Sequence, residues 1–563
     1  MRWNKTTNAE TTTILQLEQA LGIPTAVATI LAQRGITSFE AAKTFFRPDL
    51  KALHDPFLML GMSKAVDRIL QAVSTGEKIL VYGDYDVDGT TAVALLFSCL
   101  KTLTSEVATY IPDRYSEGYG LSSQGVQFAS DNDIGLLITL DCGIKAVERV
   151  AEAKALGIDS IICDHHLPGE QLPSAVAILD PKQKDCLYPY KELCGCGIGF
   201  KLIQALTLQQ EHDFEVLYPY LDLVATAIAA DIVPLTGENR ILAYYGLKQL
   251  NKAPRPGFEL LIQNTKKKVL QLSDLVFVIA PRINAAGRMQ HGQRAVDLLC
   301  SETTEIALPY ARSIELMNGE RRLTDEKITE EALAQIQDLK TEFSTVVMQE
   351  HWHKGVVGIV ASRLIESFYR PTVVLTASGD QLVGSVRSVK GFDVYEALVA
   401  CSDHFIQFGG HKYAAGLTMT KEALEPFRAA FEQAVKERIL PEQREPSMLY
   451  DATLTLNEIT PKLFRIFQQM APFGPQNMRP VFRTQGLKDA GGSKVVGKEQ
   501  THLKLEVTDF SGAPVSGIAF GMAEHIHKIK SQVSFELLYT LDENEFNGVK
   551  TLQLKVKALR FTE

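Results

Sequence analysis

The sequence predicts an α/β protein with a mainly parallel sheet in its first half, a second α/β region joined to it by a long helix, and a C-terminal β-barrel of OB-like form. Three observations predict this. From Lys78 to Leu179 short apolar runs alternate with helical pattern, which calls for parallel strands linked by crossover helices. From Ser301 to Leu339 the chain is charged and helical in pattern, broken only by Pro309 and Gly319, and strand–helix alternation resumes after it. Beyond a linker at Pro441 to Pro446 the pattern changes to short alternating strands separated by glycine and turn residues.

A chain of 563 residues exceeds a single core. The expected divisions are a helical lead-in (1–50), a first α/β domain (51–235), a helical connector (236–339), a second α/β domain (340–440) and the barrel (441–563). Hydrophobic and charged contents of 45% and 22% are those of ordinary globular protein. No apolar run approaches the roughly 20 residues that cross a bilayer, and the polar start lacks a signal-peptide core, so a cytoplasmic protein without a membrane partner is expected. Eight cysteines without zinc spacing read as reduced core thiols. The net charge of −9 argues against a uniformly basic coat for nucleic acid but leaves room for a local basic groove.

In order, helical pattern covers Thr13 to Leu21, Ala26 to Gln33, Ser38 to Phe46 and Met62 to Ser74. Strands follow at Ile79 to Tyr82, Val107 to Ile111, Leu136 to Leu140, Ser160 to Cys163 and Ala177 to Leu179. The strand ends carry polar groups: Asp84, Asp86 and Asp88; then Arg114, Tyr115 and Tyr119; then Asp141; then Asp164, His165 and His166; then Asp180. A parallel sheet brings these ends to one edge. Asp231 lies in an apolar helical stretch, where a buried carboxylate requires a cap or a cation.

Three carboxylates within five residues repel unless a cation lies between them, and hard oxygen ligands suit Mg²⁺ or Mn²⁺. The competing reading is an acidic, solvated turn. A calcium loop is ruled out because the closing Glu of an EF-hand is absent. In the second α/β region, His353, Ser385, Arg387 and the triplet Gly409, Gly410, His411 mix glycine with cations in a way that lets backbone amides approach a phosphate; plain turns are the alternative.

The motifs DYDVDG, LDCG, CDHH and AADIVPL resemble the DHH phosphoesterase superfamily, and APRINAAGRM with GGHKYAAG narrows the resemblance to the RecJ family. Pro472-Phe-Gly474 resembles a further motif of that family ahead of its barrel. The resemblance implies a DHH domain, a DHH-associated domain (DHHA1) and an OB-like domain. It implies a 5′-to-3′ exonuclease of DNA repair and recombination that degrades single-stranded DNA to nucleoside 5′-monophosphates with two Mn²⁺ or Mg²⁺ ions.

By the same resemblance Asp84, Asp86, Asp88, Asp141, His165 and Asp231 are metal ligands, His166 contacts the scissile phosphate or assists proton transfer, and Asp164 orients an imidazole. Arg114, Ser385 and Arg387 hold the 5′ phosphate, with Gly409, Gly410 and His411 facing the metals and His353 beside the substrate. Arg282 and Asn284 contact DNA backbone, and Tyr115 or Tyr119 stacks on a base. A single-strand binding protein and a RecQ-type helicase are the implied partners. Tyr82 stands where some superfamily members carry a metal-binding His. The alternatives are a DHH phosphodiesterase of short oligonucleotides or cyclic dinucleotides, and a catalytically silent nucleic-acid-binding relative.

Overall fold

The computed structural model describes residues 1–563 except 8, 266, 339, 340, 510–512, 547 and 563. The expected boundary at 339/340 lies outside the described residues. Strands β1 (Ile79–Gly83), β2 (Val107–Tyr110), β3 (Leu136–Leu140), β4 (Asp159–Cys163) and β5 (Ala177–Leu179) form an all-parallel sheet in the order β2-β1-β3-β4-β5. Its strands are near-continuous apolar runs because both faces are covered.

Alternate residues serve opposite faces. Ile79, Val81, Ile138, Leu140 and Ile161 pack with helix α1 (Val87–Leu100), while Leu80, Tyr82, Leu137 and Ile162 pack with α2 (Ser123–Asp131) and α3 (Val147–Ala155). The α1 side is deepened by α4 (Gly195–Gln209) and α5 (Leu221–Ala230). In a sheet of this order the chain reverses direction of winding between β1 and β3, which is where such folds open a ligand crevice. Asp84 and Asp141 follow those two strands.

The segment after α5 continues through α6 (Gly237–Lys252), α7 (Ala280–Met289) and the long α8 (Thr304–Asp338), and shares the core of the first sheet. Helix α8 reaches the second sheet. There Arg321 and Arg363 flank the fully buried Asp325 at 2.9 and 2.7 Å, joining α8 to α9 (Val357–Ser367).

The second sheet comprises β6 (Thr345–Met348), β7 (Thr372–Ser378), β8 (Gln381–Arg387), β9 (Gln407–His411) and β10 (Ala414–Thr420), in the order β9-β10-β8-β7-β6. The sequence pattern suggests helices after Val386, yet β9 and β10 form an antiparallel hairpin. Its three glycines, Gly409, Gly410 and Gly416, hide the alternation that marks a strand.

Seven strands between Ala452 and Phe561 make the C-terminal sheet. Phe482–Asp489 pairs with both Phe535–Phe546 and His502–Thr508, which curls the sheet back on itself. Near the start of the chain, Arg2–Lys5 pairs in parallel with Ser447–Tyr450, and Val27, Ile30 and Leu31 share the barrel's core with Phe467, Leu505 and Leu537. No helix among the described residues is long and apolar enough to cross a membrane.

Candidate metal centre

The loop after β1 turns so tightly that a Cβ on Gly89 would collide with the carbonyl oxygen of Asp84. Asp86 caps α1, accepting the Gly89 N–H at 3.1 Å, and Asp84 is buried behind it. Asp88 sits inside the first turn of α1 and faces the start of α4. Its two carboxylate oxygens accept the Gly195 and Cys196 N–H groups at 2.6 and 2.7 Å, the placement expected of an anion at a helix N-terminus.

Asp141, beyond β3, adopts a left-handed conformation (φ 60°) and is locked by the Cys163 carbonyl at 2.9 Å. Gly195 lets α4 pass over it; a Cβ there would be 2.5 Å from the Asp141 Cβ. Helix α5 ends at Asp231, and Ile232 after it is again left-handed (φ 59°).

These elements converge on one imidazole. His165 Nε2 lies 3.1 Å from Asp141 Oδ1, 3.7 Å from Asp231 Oδ2 and 3.8 Å from Asp88 Oδ2. Two overlapping sets have ligand atoms close enough to share an ion: Asp141, His165 and His166, and Asp88, His165 and Asp231. Asp84 and Asp86 fall in neither set, but the charges of both act on Asp141.

The electrostatics are those of a centre built for cations. Burial, then the neighbouring carboxylates, pushes Asp84, Asp88 and Asp141 above the usual carboxylate range, and Asp231 up to about 9. Asp84 Oδ1 and Asp141 Oδ1 are buried without a hydrogen-bond donor. Burial lowers His165, which keeps its imidazole neutral and able to ligate. The donor set and the two orphaned oxygens therefore fit divalent ions.

A linked pH effect follows. Asp231 has a folded value near 9 and an unfolded value of roughly 4, so the stability its protonated form provides is complete at low pH and is lost as pH rises toward 9. The metal-free protein should melt at progressively lower temperature between pH 5 and pH 9 in chelator, and Mn²⁺ should reverse the trend. A flat profile in thermal melts would contradict the cation-poor cluster.

Asp164 orients rather than ligates. It accepts the His165 and His166 N–H groups at 2.7 and 3.1 Å, His166 Nδ1 at 2.7 Å and the Ile144 N–H at 2.9 Å. Burial alone would raise it, but these bonds take it below the usual range. In return, Asp164 outweighs the effect of burial on His166 and raises it, favouring the imidazolium. The Tyr119 hydroxyl donates to the Asp141 carbonyl at 3.1 Å and lies 3.2 Å from His166 Nε2, while its ring is 56% exposed and open to a base.

A second cluster is cationic. Arg114 lies over the Tyr85 ring at 4.7 Å, and its charge acts on Arg288 and Arg387. Burial, then those two neighbours, pushes Arg288 down to about 10. Among the described residues none of the three forms an ion pair. Arg387 Nη1 donates to Ser385 Oγ at 2.8 Å, and a Cβ on Gly358 at the start of α9 would be 2.9 Å from both side chains. This cluster thus combines arginines that form no ion pair among the described residues with a helix N-terminus, a setting for a dianion.

Other expected site residues stand elsewhere. Arg282 donates through Nε to Glu315 of α8 at 2.5 Å and through Nη1 to the Val278 carbonyl at 2.7 Å; Asn284 sits half-buried two residues on. Tyr115 donates to the Arg288 carbonyl, and its ring carries Lys354 at 4.2 Å and meets His353 edge-on. His353 Nδ1 accepts the Gly355 N–H at 3.1 Å. Gly409, Gly410 and His411 lie exposed on the edge strand β9, facing solvent rather than any bonded partner among the aspartates. Arg288 is the residue sequence reasoning passes over. It sits in the same motif as Arg282, and the only signal for it is that motif.

Comparison with known proteins follows this layout. A model of the DHH family, N-terminal domain, matches residues 78–228, the DHHA1 domain matches 340–437 and the RecJ OB domain matches 450–558. The single-stranded-DNA-specific exonuclease RecJ of Bacillus subtilis (strain 168) is 35% identical over 570 residues, covering 100% of this chain and 71% of that protein. That of Escherichia coli (strain K12) is 33% identical, covering 94% and 95%. The crystal structure of RecJ in complex with Mn²⁺ from Thermus thermophilus superimposes with a TM-score of 0.86 at 27% identity, over 100% of this chain and 80% of that one.

Proposed function

The chain belongs to the RecJ family of single-stranded-DNA-specific exonucleases, and from that premise we propose that it removes nucleotides from the 5′ end, releasing nucleoside 5′-monophosphates with Mn²⁺ or Mg²⁺ as cofactor. The observation that carries the reading is the adjacency of two clusters: carboxylates and an imidazole with orphaned oxygens, and three arginines that form no ion pair among the described residues, with the charge of Arg114 acting on Asp84. At such a centre divalent ions supply a water of lowered pKa and neutralise charge on the phosphoryl oxygens.

The chain's own residues do the rest. Asp84, Asp86, Asp88, Asp141, His165 and Asp231 form the ligand set, with Asp88 held by the α4 amides and Asp141 by its constrained backbone. His166, whose imidazolium form Asp164 favours, donates to a nonbridging phosphate oxygen or to the departing 3′ oxygen. Arg114, Arg288 and Arg387 grip a terminal phosphate, with Ser385 orienting Arg387. A fixed phosphate site beside a fixed reaction site measures one nucleotide from the 5′ end and so sets direction. Tyr119 offers the ring for stacking.

Action on single strands makes the enzyme dependent on an activity that unwinds duplex, which supports a RecQ-type helicase and a single-strand binding protein as partners in repair and recombination. Eight free cysteines support a reducing, cytoplasmic setting.

Polarity decides the matter. With Mn²⁺, a 3′-labelled single strand should shorten progressively while a 5′-labelled one yields labelled mononucleotide at once. The reverse pattern, or cleavage confined to dinucleotides, would overturn this reading in favour of another DHH phosphodiesterase.

A further inference from the structure

The loop at Pro472-Phe-Gly474 meets the loop that follows Asp231. The Leu235 N–H donates to the Pro475 carbonyl at 2.8 Å, and a Cβ on Gly474 would lie 3.3 Å from the Leu235 side chain, so the two segments touch without slack. One residue earlier, the Pro234 carbonyl accepts from Tyr190 at 3.2 Å and Asn239 at 3.0 Å. These anchors act on a short span that begins with Asp231 and includes Ile232, a β-branched residue in the left-handed region that is 64% exposed. Packing does not hold Ile232 there, and such a residue relaxes out of that region unless its neighbours forbid it.

The far side of the brace is gripped by Arg240, next to Asn239 on α6. Arg240 is 4% exposed and donates five hydrogen bonds: two to the Phe45 carbonyl, and one each to the carbonyls of Met470, Ala471 and Pro472. Its guanidinium lies 3.9 Å from the Phe45 ring centroid. Among the described residues it forms no ion pair, and burial pushes it down to about 10. Asn477 closes the loop from inside, donating to Met470 and Pro472 at 2.9 and 2.7 Å and accepting from Arg34. A buried charge satisfied wholly by carbonyls is a costly way to fasten a loop, and burial without a carboxylate partner is uncommon for arginine.

We propose that the 470–477 loop, clamped by Arg240 and Asn477, is a positioning device that holds the Asp231 carboxylate toward His165, so that the C-terminal region completes the metal centre. This rests on the metal-ligand reading above. Arg240 and Asn477 touch neither substrate nor metal in it; they act through the Leu235–Pro475 contact on Asp231.

Calorimetric titration of the full-length protein with Mn²⁺, without DNA, tests the idea. Arg240→Met should weaken Mn²⁺ affinity by about 10-fold or more, the range seen when outer groups that orient ligands are removed. Arg240→Lys, which retains charge and some of the bonds, should recover part of it. Should Arg240→Met fail to fold, Asn477→Ala gives the same reading on a milder scale, with circular dichroism reporting the fold. Melting temperatures that fall while Mn²⁺ affinity stays within twofold of wild type would overturn the proposal, because the clamp would then be merely structural. Wild-type protein that binds no Mn²⁺ would instead overturn the metal reading itself, and this proposal with it.

Discussion

Asp141→Asn should reduce Mn²⁺-dependent cleavage of single-stranded DNA by about a thousandfold or more, and at the same time raise the melting temperature of the metal-free protein. Both follow from one buried carboxylate with an unpartnered oxygen, 3.1 Å from the His165 imidazole. Divalent ions contribute several kcal/mol of charge stabilisation, and each 1.4 kcal/mol or so is tenfold in rate, so losing the central ligand costs about three decades. Without metal the same carboxylate is unfavourable, raised first by burial and then by Asp88, Asp86, Asp231 and Asp84. An amide of equal shape removes that repulsion. Parallel melts with chelator and with Mn²⁺ should show the variant more stable than wild type in the first and hardly responsive in the second. Single-strand binding, which the proposed function places on the arginine cluster, should persist. Retained cleavage would refute the ligand assignment.

Arg114→Met should erase the advantage of a phosphorylated 5′ end that the proposed terminal-phosphate site confers. Charge-assisted hydrogen bonds contribute about 1.5–3 kcal/mol each, so kcat/KM on a 5′-phosphorylated strand should fall by about 10- to 100-fold, while a 5′-hydroxyl strand changes little. Methionine keeps the near part of the stem and removes the guanidinium, the part that lies over the Tyr85 ring. Because Arg114 crowds Arg288 and Arg387, the same change should relieve repulsion within the cluster and leave the fold no less stable. Equal losses on both strands would place Arg114 outside the terminal-phosphate site.

The strand-end carboxylates are legible in sequence for a simple reason. An apolar run followed by Asp is visible without any knowledge of pairing, and parallel topology then places all such ends on one edge. The rule places Asp141 and His165 at that edge, while their roles as ligands come from the family resemblance. What the pattern does not disclose is rotation about a helix. Arg282 and Arg288 are six residues apart on α7, which at 100° per residue leaves them roughly 120° apart around its axis. One turns to Glu315, the other to Gly355 and the cleft, and composition treats them alike. The β9–β10 hairpin is concealed for a related reason, since glycine carries no side chain to record which face is buried. The covering of the barrel by the first helices is invisible too, because nothing in an amphipathic helix names a partner that lies at the other end of the chain.

That last contact has a bearing on biosynthesis. Arg2 pairs with Ser447, and Val27, Ile30 and Leu31 bury themselves among residues that are made several hundred positions later. At ribosomal elongation rates the interval between the two is on the order of tens of seconds. Throughout it the apolar faces of the leading helices stay uncovered while the parallel sheet can already form behind them. Docking of these helices therefore has to wait for the barrel, a delay that the parallel sheet, built from neighbouring strands, does not share.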